Sequence, residues 1–130
     1  MAGVLRLQHV SVPIPPDRAD EAREFYSGAL GMNELPVPPS LHGVAVLWFQ
    51  ASEDGDEVHL YAEKGPTERV MGQHLCLQID DIAAFADQLT AKGITVEETI
   101  EIPGRPRRFV FDPFGNQIEL MQMEIAAARR

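Results

Sequence analysis

Three histidines and one glutamate, His9, His59, His74 and Glu119, are the side chains of this chain best suited to hold a cation. Neutral imidazoles supply nitrogen lone pairs and a carboxylate supplies charge. That donor mix suits divalent Zn, Ni, Fe, Mn or Co and leaves open positions for water or substrate. Glu119 is the most telling of the four. It follows the turn Pro113-Phe114-Gly115-Asn116, and alternation after the turn puts Gln117, Glu119 and Met121 on one face and Ile118 and Leu120 on the other. A glutamate turned inward on such a strand must be paired, protonated or bound to a cation, because an unpaired buried charge is too costly. Any one histidine, taken alone, reads equally well as a satisfied pocket residue. Position is what distinguishes these three.

The elements that would carry them recur. Gln8, Val10, Val12 and Ile14 alternate with His9, Ser11 and Pro13, so a strand from Leu7 to Ile14 turns His9 and Ser11 to one face. Pro15-Pro16-Asp17 breaks it and offers Asp17 as a helix cap. Ala19, Ala22, Phe25, Tyr26, Ala29 and Leu30 recur at helical spacing until Gly31. Strands are expected over Val44 to Gln50 and Glu57 to Ala62, joined by the polar turn of residues 52–56. From residue 72 the pattern restarts. A strand His74 to Ile79 puts His74, Cys76 and Gln78 on one side. Asp80-Asp81 caps a helix with core positions Ile82, Phe85, Ala86 and Leu89, closed by Gly93. Strands over Ile94 to Val96, Arg107 to Asp112 and Asn116 to Gln122 follow. One supersecondary unit is written twice, module one over about residues 4–63 and module two over about 72–123 of a single domain spanning 1–130.

The repeat pairs the histidines. His9 and His74 lie on the first strand of each half, and His59 matches Glu119 on the last, with 50 and 45 residues between the two members of each half. If the halves pack so that their sheets form one surface, all four side chains point into one cavity. His42, in the loop after Pro38-Pro39, has no repeat partner and is read as surface.

Composition bounds the partners. A 45% apolar fraction in 130 residues supports a core without staples, and the single cysteine, Cys76, excludes an internal disulfide and a CxxC metal site. No stretch looks like a signal peptide or a membrane span, so a soluble cytoplasmic protein is expected. With 20 acidic against 11 basic residues and a net charge of −9, nucleic acid and anionic membranes are not expected partners. The cluster Arg105, Arg107 and Arg108 is the exception, either a solvated loop or a seat for an anionic substrate.

His9-Val10-Ser11-Val12, Phe25-Tyr26-Ser27-Gly28-Ala29-Leu30-Gly31-Met32, His74-Leu75 and Asp112-Pro113-Phe114-Gly115-Asn116-Gln117-Ile118-Glu119-Leu120 together resemble the vicinal oxygen chelate superfamily. That group includes glyoxalase I, fosfomycin-resistance proteins, methylmalonyl-CoA epimerase, extradiol dioxygenases and bleomycin-resistance proteins. The resemblance implies an α+β fold of paired βαβββ modules in a U-shaped mixed sheet round a metal, and usually a homodimer. It implies His9, His74 and Glu119 as ligands shared by the fosfomycin-resistance and dioxygenase branches. Glyoxalase I and the epimerase add a fourth ligand, commonly Glu or Gln, where this chain has His59. That departure weakens an assignment to true glyoxalase I.

The resemblance implies the superfamily's common step, in which a divalent ion with open cis positions binds two neighbouring oxygens of a substrate and stabilises the enolate or oxyanion that develops. The expected function is accordingly a divalent-metal-dependent, glyoxalase-like lyase or isomerase of a small oxygen-chelating carbonyl compound. Glu119 is its proton-moving catalytic residue and Glu57 a second choice. The alternatives are an extradiol-type Fe(II) dioxygenase and a metal-free small-molecule binding or resistance protein. Strand parity places Arg107 and Phe109 on the pocket face and Arg108 and Val110 away from it. Arg107 is the expected anion anchor, Phe109, Trp48, Phe114 and Met121 the apolar walls, and Ser11 and Gln78 hydrogen-bonding contacts.

Overall fold

Alternation builds the first strand as expected. In the computed structural model, which describes residues 2–63 and 72–123, β1 (His9–Ile14) exposes His9 and Ser11 and buries Ile14. Helix α1 (Ala19–Arg23) follows but is not capped by Asp17. Asp17 takes a left-handed φ of 65°, and Arg18 stands at the cap with no side-chain hydrogen bond. The two prolines before Asp17 force the reversal there, and a short polar side chain tolerates that backbone region better than most. The helix then widens into a π-helical turn, Glu24–Ala29, that buries Phe25 and Tyr26. Gly31, at φ 80°, ends it as its lack of a Cβ allows.

Two elements in this half carry no clear sequence signal: β2 (Asn33–Leu35) and a 3₁₀ turn, Pro39–Leu41. β3 (Val46–Gln50) begins two residues later than alternation suggests, and β4 (Glu57–Ala62) lies where expected. The sheet runs β1-β4-β3-β2, with β1 parallel to β4 and the other neighbours antiparallel. Its apolar face supplies Phe49, Val58 and Leu60 to a core shared with Ala22, Phe25 and Tyr26, and the Tyr26 ring lies 5.9 Å from that of Phe49.

The second unit repeats the plan with β5 (His74–Gln78), α2 (Ile82–Ala91), β6 (Arg107–Phe111) and β7 (Gln117–Met121), in the order β5-β7-β6. Here the cap is as expected: the Asp81 carboxylate accepts from the Ala84 amide at 3.0 Å. The strand expected over Ile94 to Val96 does not form. One isolated bridge replaces it, with Glu97 and Phe109 exchanging backbone hydrogen bonds of 2.8 and 2.9 Å. Pro103 and Pro106 lack amide donors, and Gly104 takes a φ of 76°, so the chain beyond Glu97 cannot continue a ladder. The molecule is therefore α+β with two small mixed sheets, with four strands in the first unit and three in the second among the described residues. No helix among the described residues is long and apolar enough to cross a membrane.

The β6–β7 turn that delivers Glu119 is organised by one carboxylate. Asp112 is 4% exposed, and its Oδ1 accepts from the amides of Phe114 and Asn116, both at 2.9 Å, while Oδ2 accepts from Asn116 Nδ2 at 2.8 Å. Asp112→Ala leaves those buried donors without their acceptor. We expect it to lower stability by about 3 kcal/mol, read as a reduced urea midpoint with an unchanged slope. A midpoint within error of the native protein would show that the turn does not depend on this side chain.

Candidate functional site

Register, more than sequence spacing, defines the polar face of each sheet. In the first unit β1 pairs with β4 so that His9 lies beside Glu57 and Ser11 beside His59, and β3 places Gln50 and Trp48 across from those two β4 residues. In the second unit β5 pairs with β7 so that His74 lies beside Gln117 and Cys76 beside Glu119, and β6 places Phe111 and Phe109 across. The two ladders therefore correspond position by position. His9 matches His74, His59 matches Glu119, and Trp48 matches Phe109.

On the first sheet the side chains form a stack. The His59 ring lies between Trp48, 4.0 Å away at 5°, and His9, 4.1 Å away at 18°. His59 is 3% exposed and its Nε2 lies 2.8 Å from Glu57 Oε1. That hydrogen bond is the largest of the influences holding the Glu57 carboxyl below the usual carboxylate range; a Gln8 contact and the positions of His59 and His9 add to it, while burial opposes. An ionised Glu57 only accepts, so His59 Nε2–H donates to it. His9 Nδ1 lies 2.6 Å from Gln8 Oε1, an acceptor that leaves His9 Nε2 with its lone pair free. The Trp48 Nε1–H is buried with no hydrogen-bond partner among the described residues.

On the second sheet the side chains form a hydrogen-bonded chain. His74 Nδ1 donates to the Gly72 carbonyl at 2.7 Å, and its Nε2 lies 2.9 Å from Glu119 Oε1. Glu119 is 6% exposed, and its other oxygen, Oε2, accepts from Arg107 Nη1 at 3.3 Å. Arg107 Nε donates to the Ile100 carbonyl at 3.0 Å, and its guanidinium carbon sits 5.5 Å from the centre of the Phe109 ring. Phe109 in turn meets His74 edge-on at 5.4 Å.

Placement of the expected site residues follows from these contacts. Arg107, Phe109, Glu119 and Met121 share a face with His74, as strand parity requires, and Arg108 lies on the opposite face. Ser11 and Gln78 are exposed on the site faces of their strands. Phe114 is buried inside the β6–β7 turn. His42 is exposed, with Nε2 3.2 Å from the Val37 carbonyl. Trp48 presents its ring to His59 as well as lining the face. Gln8, the Gly72 carbonyl and the Glu57–His59 bond carry no sequence signal, because each depends on a side-chain rotamer or on a loop path.

Among the described residues, no group of three or more His, Cys, Asp or Glu side chains is gathered round a cation position. The donor chemistry can nonetheless be tested residue by residue. Two cis ligands each about 2.1 Å from a divalent ion stand about 3 Å apart, and the His74 Nε2 to Glu119 Oε1 separation of 2.9 Å meets that spacing. In both His74 and His9, Nδ1 faces a carbonyl oxygen, the kind of acceptor that orients a metal-bound imidazole. His59 differs: its Nε2 is engaged by Glu57, and its ring is stacked against both His9 and Trp48. A ligand role for His59 Nε2 requires the contact with Glu57 to be given up.

Cys76 lies beside Glu119 in register and is exposed. Partial burial first, and the Glu119 charge second, push its thiol up to about 11, with Arg107 pulling the other way. A raised pKa keeps the neutral thiol dominant throughout the neutral range, so the thiolate is about a hundredfold scarcer at pH 8 than for an ordinary cysteine. Iodoacetamide should therefore alkylate Cys76 at pH 8 about tenfold or more slowly than a free thiol, accelerating toward pH 11 and in Glu119→Gln. Rapid alkylation at pH 8 would contradict this environment.

Residues 6–120 match the family model of the Glyoxalase/Bleomycin resistance protein/Dioxygenase superfamily. The crystal structure of a Bacillus anthracis protein assigned to the glyoxalase family is 32% identical and superposes with a TM-score of 0.84, covering 95% of this chain and 99% of that one. An antibiotic-binding protein from a Streptomyces species is 25% identical with a TM-score of 0.69, covering 95% and 100%. The mitochondrial methylmalonyl-CoA epimerase of Dictyostelium discoideum is 25% identical over 119 residues, covering 84% of this chain and 70% of its own length. With the duplicated strand ladders, these matches establish that the chain belongs to the Glyoxalase/Bleomycin resistance protein/Dioxygenase superfamily.

Proposed function

We propose that the chain is a divalent-metal-dependent isomerase or lyase acting on a small carbonyl compound with two neighbouring oxygens, with His9, His74 and Glu119 as ligands. The observation that carries this reading is the His74–Glu119 pair, a nitrogen and an oxygen 2.9 Å apart with the opposite ring nitrogen of His74 tied to a backbone carbonyl. The similarity to an epimerase supports an isomerase over other chemistry. When bound, the ion would act as a Lewis acid toward the substrate oxygens.

The chain's own residues supply the remainder. Glu119 Oε2, the oxygen turned away from His74, is the atom assigned to take and return a proton at the carbon beside the carbonyl. Gln8 and Gly72 accept from the Nδ1 side of His9 and His74, so that Nε2 of each ring is the nitrogen that would face the ion. Phe109 walls the second sheet's face, and Trp48 walls the first's. His59 is assigned to positioning: it presses on His9 from one side and is itself backed by Trp48. We assign the working form as a homodimer in the cytoplasm.

A second reading, a metal-free small-molecule binding protein, is favoured by the Arg107–Glu119 ion pair, which already compensates the buried carboxylate without a cation. The similarity to an antibiotic-binding protein favours it too. Elemental analysis of protein purified without chelator separates the readings. About one equivalent of Zn, Ni, Co or Mn supports the isomerase. Iron with oxygen uptake on catechols supports a dioxygenase instead, and no uptake after soaking supports the binding protein. His74→Ala and Glu119→Ala should each reduce bound metal at least about tenfold, whereas His59→Phe, which preserves the ring stack, should retain most of it. Unchanged metal content in the first two variants would refute this ligand set.

A further inference from the structure

Glu119 shares its charge between two partners, and one of them is built to let go. The Arg107 Nη1 to Glu119 Oε2 contact is a single bond of 3.3 Å, longer than the 2.7–2.9 Å usual for a charge-assisted pair and without the two-pronged geometry a guanidinium can offer. Arg107 does not depend on it for position. Its Nε donates to the Ile100 carbonyl at 3.0 Å and its guanidinium carbon lies over the Phe109 ring, 5.5 Å from the centroid. Among the described residues its Nη2 has no hydrogen-bond partner. Arg108 cannot substitute for it on this face, since strand parity turns Arg108 away and its Nη1 donates to the Arg107 carbonyl at 2.8 Å.

We propose that Arg107 is a transferable counter-ion, taken over from Glu119 by the carboxylate of the ligand, so that the site selects a carboxylate-bearing carbonyl compound. Nη1 and Nη2 together offer the parallel donor pair that a planar carboxylate fills, replacing one long bond with two. The exchange is like for like in charge, which is why a carboxylate suits it better than a dianionic phosphonate. Glu119 cannot be left alone afterwards. At 6% exposure an unpaired carboxylate is costly, so release of Arg107 favours a cation beside His74 in its place. Carboxylate on Arg107 and divalent cation on Glu119 are thereby linked, each strengthening the other by the same factor. The second half of this scheme rests on the metal reading above; the exchange at Arg107 does not.

Two titrations keep these parts separate. In the first, Mn²⁺ binding is measured by calorimetry in sodium propionate and in sodium chloride of equal ionic strength. Propionate should tighten Mn²⁺ binding by about tenfold, a typical size for such coupling. Arg107→Gln should bind Mn²⁺ more tightly than the native protein in chloride, having lost the competing cation, and should show no propionate effect. In the second, propionate binding to metal-free protein is followed by NMR. Glu119→Gln, of the same shape but without the charge, should bind propionate about tenfold more tightly than the native protein, and Arg107→Gln should not bind it. Equal propionate affinity in native protein and Glu119→Gln would overturn the exchange, and methylphosphonate binding as tightly as propionate would overturn the carboxylate assignment. If Mn²⁺ fails to bind the native protein at all, the metal reading and the linkage fall, while the second titration still decides the role of Arg107.

Discussion

A slip of one residue between the first and last strands of either unit would turn every chemistry-bearing side chain into the apolar core. Side chains alternate across a sheet with a period of two, so the parallel register of β1 on β4 and of β5 on β7 is the constraint from which the rest follows. What holds the register is the opposite face. Val58, Leu60, Ile118 and Leu120 are all at most 2% exposed, and moving any of them to the polar face would forfeit its burial. The polar face thus inherits its geometry from hydrophobic packing on the other side of the same strands.

Duplication has been put to different uses on the two sheets. The first half uses its face for ring stacking, with Trp48, His59 and His9 forming a ladder of rings anchored by the ionised Glu57. The second half carries the charge, with Glu119 between His74 and Arg107 and Phe109 backing both. Corresponding positions therefore diverge in chemistry while the backbone frame stays the same. His59 and Glu119 occupy one register point, yet one is a sandwiched ring and the other a shared carboxylate. Trp48 and Phe109, also equivalent, differ too: Trp48 stacks flat on His59, whereas Phe109 meets His74 edge-on.

Burial of Glu119 ties stability to function. A carboxylate at 6% exposure is tolerated only while its oxygens are compensated, and in this structure an imidazole and a guanidinium do so. Any chemistry that recruits Glu119 must supply a replacement for whichever partner it displaces. Partial burial, with the Glu119 charge adding to it, raises the neighbouring Cys76 thiol and keeps its thiolate scarce at neutral pH.

Much of this was legible in the residues themselves. Strict alternation around His9, His74 and Glu119, the capping Asp81, the Gly31 and Gly93 stops and the turn after Asp112 are local signals, each set by the steric or hydrogen-bonding needs of a few consecutive residues. These determined the α+β class, the doubled unit and which side chains share a face. Only the tertiary structure decided that Asp17 reverses the chain instead of capping a helix, that β2 forms, and that the segment after Gly93 contributes a lone bridge at Glu97 rather than a strand. It alone decided that His59 turns its Nε2 to Glu57 and that Arg107 reaches Glu119. Those outcomes depend on which rotamers and loop paths remain open once distant strands have packed, and contacts made across a ladder leave no periodic trace along the chain.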